Sequence, residues 1–160
     1  MTRLLIIDDH AVVSQGLVHA FKDKGFTSIE TAATLKQARS KIAVFNPEAI
    51  IVDLNLPDGS GLEIVQWVRK HSKDVVIIVL SLNDPMQYVK IARNSGANAY
   101  LSKSQSMQEI IASVRFALSI PGSFTSTLII DQSVEFDLTP REIEVVYLLA
   151  EGASNLEISS

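Results

Sequence analysis

At 160 residues, with 47% hydrophobic and 20% charged side chains, the chain has room for one full domain and a short appendage around a real apolar core. A formal charge of −4 argues against a basic nucleic-acid surface, and the absence of cysteine excludes disulfides, thiolate metal sites and cysteine nucleophiles. No apolar run is long enough to cross a bilayer, and Met1-Thr2-Arg3 enters a strand without a signal-peptide pattern, so a cytoplasmic location and no membrane partner are expected.

In chain order, residues 4–7 form a short, almost purely apolar run that reads as a strand buried on both faces. Val13, Leu17, Ala20 and Phe21 then share a helical face, and Gly25 suits the C′ position that ends the helix. Residues 28–32 read as a weaker strand. Thr34 and Gln37 form a capping-box pattern ahead of Leu35, Ala38 and Ile42, and Asn46-Pro47 stops that helix. Residues 49–52 are a second buried strand. Ser60 with Glu63 predicts a third helix whose inward face is Leu62, Val65 and Val68. Residues 75–80 are a third apolar run. Asp84-Pro85 supplies an N-cap and an N1 proline for a fourth helix, which Gly96 closes. Residues 97–101 read as another weak strand. Ser106 with Glu109 caps a fifth helix with Ile110, Ile111, Val114 and Leu118 inward, and Pro121-Gly122 ends it.

Five successive βα units predict an α/β fold with a doubly wound parallel sheet. The weak second and fifth strands suit its edges, which gives the flavodoxin-like order 2-1-3-4-5. The expected domain covers residues 1–119, followed by a linker over 120–137 and a C-terminal helical stub over 138–160. Right-handed crossovers place ligands at the carboxyl ends of the strands. There the chain carries Asp8 and Asp9 after the first strand, Asp53 after the third, Ser81 after the fourth and Lys103 after the fifth. Each feature alone has a bland reading. An Asp pair can cap a helix, Ser81 can serve a turn, Tyr100 can be an edge-strand aromatic with its ring half buried, and a loop lysine is usually solvated.

Together they suit phosphoryl transfer. Three close carboxylates repel one another unless a cation sits among them, and hard oxygen donors suit Mg²⁺. A carboxylate can attack phosphorus, Lys103 can offset oxygen charge, and the Ser81 hydroxyl can donate to a phosphoryl oxygen.

Asp8-Asp9, Asp53 followed by Leu56-Pro57-Asp58-Gly59-Ser60-Gly61, then Ser81, Tyr100 and Lys103 resemble the receiver domain of two-component response regulators. The resemblance implies that Asp53 accepts a phosphoryl group from a sensor histidine kinase. It implies Mg²⁺ held by Asp9, Asp53 and the Asn55 carbonyl, with Asp8 acting through water. It implies a switch pair, Ser81 and Tyr100, whose ring packs inward as the hydroxyl turns to the phosphoryl group. Asn55 and Asn83 would tune phosphate loss, and phosphorylation would favour a homodimer. The receiver would catalyse its own phosphorylation and dephosphorylation and be no other enzyme. Ser104 stands where many receivers have a cis proline after the lysine. A cis bond without proline costs about 2.5–4 kcal/mol, so a different hold on Lys103 is expected.

Residues 138–160, with Leu138-Thr139-Pro140-Arg141-Glu142 and Gly152-Ala153-Ser154-Asn155, resemble the opening of a LuxR/NarL-type helix-turn-helix domain that stops before its recognition helix. One basic residue, Arg141, faces four glutamates there, so DNA binding is expected only of a longer protein. Three rival readings are weaker. A phosphorylation-independent interaction module would not need the whole acidic cluster. An aspartyl hydrolase of the haloacid dehalogenase type would want Asp where His10 stands. A flavin carrier would not place Asp8-Asp9-His10 against a phosphate. His10, His19 and His71 lack metal-ligand spacing and read as surface or core residues. Trp67 reads as packing, and Lys22, Lys24 and Lys36 as solvated charges.

Overall fold

The computed structural model describes residues 2–82 and 86–126. The elements are β1 (Arg3–Ile7), α1 (Ala11–Asp23), β2 (Ser28–Ala32), α2 (Leu35–Phe45), β3 (Ala49–Asp53), β4 (Asn55–Leu56) and β5 (Gly59–Ser60). They continue with α3 (Leu62–Arg69), β6 (Val76–Ser81), α4 (Met86–Ser95), β7 (Ala99–Ser102), α5 (Met107–Ser119) and β8 (Thr125–Ser126). The main sheet runs β2-β1-β3-β6-β7-β8 with all neighbours parallel, while β4 and β5 form a small antiparallel hairpin. Its first five strands reproduce the expected order 2-1-3-4-5.

Both faces of the sheet are covered, which is why the central strands read as unbroken apolar runs. Leu5, Ile7, Ile50, Val52, Ile77 and Val79 pack on one face with Leu35, Ala38, Ile64, Val65 and Val89 of α2, α3 and α4. Leu4, Ile6, Ile51, Ile78, Leu80 and Leu101 pack on the other with Leu17, Phe21, Ile110 and Val114 of α1 and α5. Burying each such large side chain stabilises the fold by about 1.5–3 kcal/mol.

The caps follow the sequence with local changes. Ser106 and Glu109 form the complete capping box of α5. The Thr34 hydroxyl accepts from Gln37 N–H, but the Gln37 side chain takes the Ala33 N–H, one residue earlier than a box requires. Glu63 reaches back to Ser60 N–H, whereas Ser60 Oγ accepts from Leu62 N–H, so α3 starts at Leu62 after Gly61. Its buried residues are Ile64, Val65 and Val68. Leu62, expected inside, is only half-buried because it opens the helix beside the hairpin. Gly25 and Gly96 have φ of 93° and 107°, the left-handed conformation that ends α1 and α4.

The fifth strand is not an edge. Residues 120–126, expected to begin a linker, continue onto the sheet, and β8 pairs Thr125 with Ala99 and Ser126 with Tyr100. Asn98 holds this addition. Its side-chain amide donates to the Ser123 carbonyl at 3.1 Å, and its own carbonyl accepts from Thr125 N–H at 3.0 Å. Phe124 is buried in the core beneath. Asp84-Pro85, Asn83 and the segment 138–160 lie outside the described residues. Among the described residues no helix is long and apolar enough to cross a membrane.

Candidate functional site

The carboxyl ends of β1, β3, β6 and β7 meet at one rim because the hydrogen-bond ladder runs past the strands themselves. Asp8 N–H donates to the Ala32 carbonyl, Leu54 N–H to the Leu80 carbonyl, and Lys103 N–H to the Ser81 carbonyl, each at 2.9 Å. These bonds fix the first loop residue after each strand, and so aim the side chains that carry the chemistry.

Asp8 and Asp53 are buried, whereas Asp9 stands at the exposed rim. The Lys103 ammonium lies between the two buried carboxylates, 2.9 Å from Asp53 Oδ2 and 3.0 Å from Asp8 Oδ2. Its peptide bond to Ser104 is trans, as are all the described ones. The loop takes its shape from serines instead. Ser104 N–H donates to Ser102 Oγ, and the two hydroxyls are 2.7 Å apart. The other Asp53 oxygen, Oδ1, accepts from Asn55 N–H at 3.1 Å.

Burial is the largest influence on Asp53 and pushes its carboxyl above the ordinary value. The Lys103 and Asn55 hydrogen bonds oppose this only in part, and the Asp8 charge adds to the rise. For Lys103 burial pulls the ammonium down, but hydrogen bonds to Asp53 and Asp8 outweigh it and hold the group above its ordinary value. The site therefore keeps its cation firmly charged, while burial works against the charged form of Asp53.

Asp8, Asp9 and Asp53 supply hard oxygen donors that suit Mg²⁺. Asp8 Oδ2 is fully buried, with the Lys103 ammonium 3.0 Å away as its partner. Three carboxylates against the single Lys103 ammonium leave an excess of negative charge that a divalent cation offsets. Asn55 meets Asp53 through its backbone N–H.

Ser81 and Tyr100 are both fully buried. The reading of Tyr100 as a half-buried edge aromatic is corrected. The added strand β8 covers that edge, and the ring lies inward in the core with Val79, Val89 and Phe124.

Sequence reasoning passed over three residues. His10, read as a surface or core histidine, is half-exposed but belongs to the site: its Nδ1 is 3.1 Å from Asp8 Oδ1, 3.3 Å from Asp9 Oδ1 and 3.5 Å from Lys103 Nζ. Its place directly after Asp8-Asp9 was the available signal. Asp58 lies in the recognised motif, yet its work is structural. Its two carboxylate oxygens accept from Leu35 and Lys36 N–H at 2.8 and 3.2 Å and so cap α2 from across the hairpin. Gly61 presses on the strand end, where a Cβ would collide with the Asp53 carbonyl. His19 and His71 do sit away from the site, His19 beside Asp23 and His71 edge-on to Trp67.

Residues 4–115 match the family described as the response regulator receiver domain. The chain belongs to this family. The receiver is 29% identical to the transcriptional regulatory protein MctR of Rhizobium johnstonii, with 98% of this chain and 77% of MctR aligned. It superposes on a DNA-binding response regulator of the LuxR family from Staphylococcus aureus at 25% identity and a TM-score of 0.68, covering 72% of this chain and 97% of that one. It also superposes on the beryllofluoride-activated NtrC4 receiver domain dimer at 27% identity and a TM-score of 0.70, covering 74% of this chain and 98% of that one. The receiver is thus a two-component response regulator whose relatives include transcription regulators.

Proposed function

We propose that Asp53 accepts the phosphoryl group of a sensor kinase's phosphohistidine and later yields it to water. The observation that carries this is the pairing at Asp53: one oxygen held by the buried Lys103 ammonium at 2.9 Å, the other by the Asn55 N–H at 3.1 Å. These contacts fix the carboxylate so that an oxygen is presented to phosphorus without reorganisation. An Asp53 oxygen forms the new O–P bond as the P–N bond to the kinase imidazole breaks, and the departing imidazole takes a proton from solvent. Lys103 is placed to pair with a phosphoryl oxygen. Asp8, Asp9, Asp53 and the Asn55 carbonyl would hold Mg²⁺, which when bound offsets charge on the phosphoryl oxygens.

Ser81 and Tyr100 are the proposed switch pair. The hydroxyl turns to the phosphoryl group, and the inward ring fills the space behind it. Asn55 is proposed to tune phosphate loss. The readout is self-association, by analogy with the NtrC4 receiver dimer, and control of transcription through DNA in a protein that carries a complete DNA-reading domain.

Intact-mass measurement after incubation with Mg²⁺ and acetyl phosphate tests the reading. Wild type should gain one phosphoryl mass, and Asp53→Asn should gain none. Equal labelling of the two would refute Asp53 as the acceptor.

A further inference from the structure

We propose that His10 is a nitrogen ligand of the acidic site, so that the site binds a late first-row ion such as Co²⁺ or Ni²⁺ in marked preference to Mg²⁺. The inference rests on the metal reading of Asp8, Asp9 and Asp53 given above and adds to it a donor of different chemistry.

The distances carry the argument. Two donors each about 2.1 Å from one ion lie about 3.0 Å apart at an octahedral right angle and about 3.4 Å apart in a tetrahedron. His10 Nδ1 is 3.1 Å from Asp8 Oδ1 and 3.3 Å from Asp9 Oδ1, both inside that window, and 3.9 Å from Asp53 Oδ2. One ligand atom from each of Asp8, Asp9, His10 and Asp53 lies within 4.8 Å of the others, against about 4.2 Å for donors on opposite sides of such an ion. A small inward movement of half-exposed side chains closes the difference.

The charge balance of the cluster also favours a cation: the carboxylates of Asp8, Asp9 and Asp53 face the single Lys103 ammonium, an excess of negative charge that a divalent ion offsets. The imidazole itself has no helix-capping duty: His10 is the N-cap residue of α1, but its side chain makes no cap hydrogen bond. The His10 N–H donates to Asp8 Oδ1 at 2.8 Å, so the backbone already holds the loop in place and the ring is not needed for that.

An all-oxygen site discriminates among divalent ions weakly. An imidazole nitrogen strengthens binding along the series from Mn²⁺ towards Ni²⁺ and Cu²⁺ and does little for Mg²⁺. The rival account is that the ring only donates a hydrogen bond to Asp8. The two accounts differ in what removing the ring does to ion preference.

The test is titration of the metal-free chain with Co²⁺, read by visible d–d absorption, and with Mg²⁺ in competition. His10→Ala and His10→Asn (an oxygen donor replacing nitrogen) are compared with Asp9→Asn, with the thermal midpoint of each variant as the check on folding. Both His10 variants should weaken Co²⁺ binding about tenfold or more while Mg²⁺ affinity changes less than about threefold. Asp9→Asn should weaken both ions. Equal losses for the two ions in the His10 variants, or no loss for either, would overturn the ligand role of His10 and leave the acidic site standing. Failure of wild type to bind either ion would overturn the metal reading itself, and this inference with it.

Discussion

Asn98 is the residue on which the far end of the sheet depends, and Asn98→Ala tests that directly. Its Oδ1 accepts two hydrogen bonds, from Ile77 N–H on β6 and from the Arg69 guanidinium of α3, each 2.9 Å long. Its Nδ2 ties down Ser123 at 3.1 Å. Ile77 is fully buried, so the alanine variant leaves its N–H with no route to water, at a cost of about 1–3 kcal/mol. Arg69 is half-buried and keeps the Gly96 and Ser72 carbonyls, so its loss adds only about 1 kcal/mol. The total is about 2–4 kcal/mol. Urea unfolding followed by Trp67 fluorescence should show the midpoint fall by about 1–2 M with an unchanged slope. Asn98→Asp retains the acceptor for Ile77 and Arg69 but turns an oxygen towards the Ser123 carbonyl, so it should recover part of the loss. Amide exchange at Thr125 should quicken in the alanine variant, because β8 loses its tether. A loss below about 1 kcal/mol, or an aspartate variant no better than alanine, would refute the view that this side chain is the hub.

Other perturbations bear on the site. Asp53 is held above its ordinary value chiefly by burial, so its charged form costs stability at neutral pH, and the cost is lost as pH falls through the folded pKa. Asp53→Asn should therefore raise the thermal midpoint at pH 7, with the gain fading towards pH 4; a lower midpoint at pH 7 would contradict the account. Asp58 is held below its ordinary value chiefly by the Leu35 N–H, with burial opposing, so its capping contribution is present above the usual carboxylate range and disappears as pH falls through its depressed value. Asp58→Ala should lower the midpoint at pH 7 and leave it unchanged in strong acid, in melts across that range. Gly61→Ala puts a methyl against the Asp53 carbonyl and Val52, so it should cost about 1–3 kcal/mol and slow labelling of Asp53 by acetyl phosphate. Normal labelling would show that the strand end yields more readily than its packing implies.

Much of the receiver is legible in one dimension. The apolar runs at 4–7, 49–52 and 75–80 could only be strands covered on both sides, and the punctuation at Gly25, Asn46 and Ser106 divides them from amphipathic helices, because those signals act over one or two turns. Parallel order then sent Asp8, Asp9, Asp53, Ser81 and Lys103 to one rim. Tertiary structure alone decided the rest, since it depends on what meets from distant parts of the chain. Two residues are too few to signal a strand, so β8 exists because β7 offered an open edge and Asn98 could bond beyond it. Tyr100 is buried for the same reason. Asp58 became the cap of a helix 22 and 23 residues earlier because the hairpin folds over the start of α2. His10 carried no ligand spacing of its own and only its place after Asp8-Asp9 hinted at the rim, whereas the turn after β1 is what brings its ring against carboxylates from two strands.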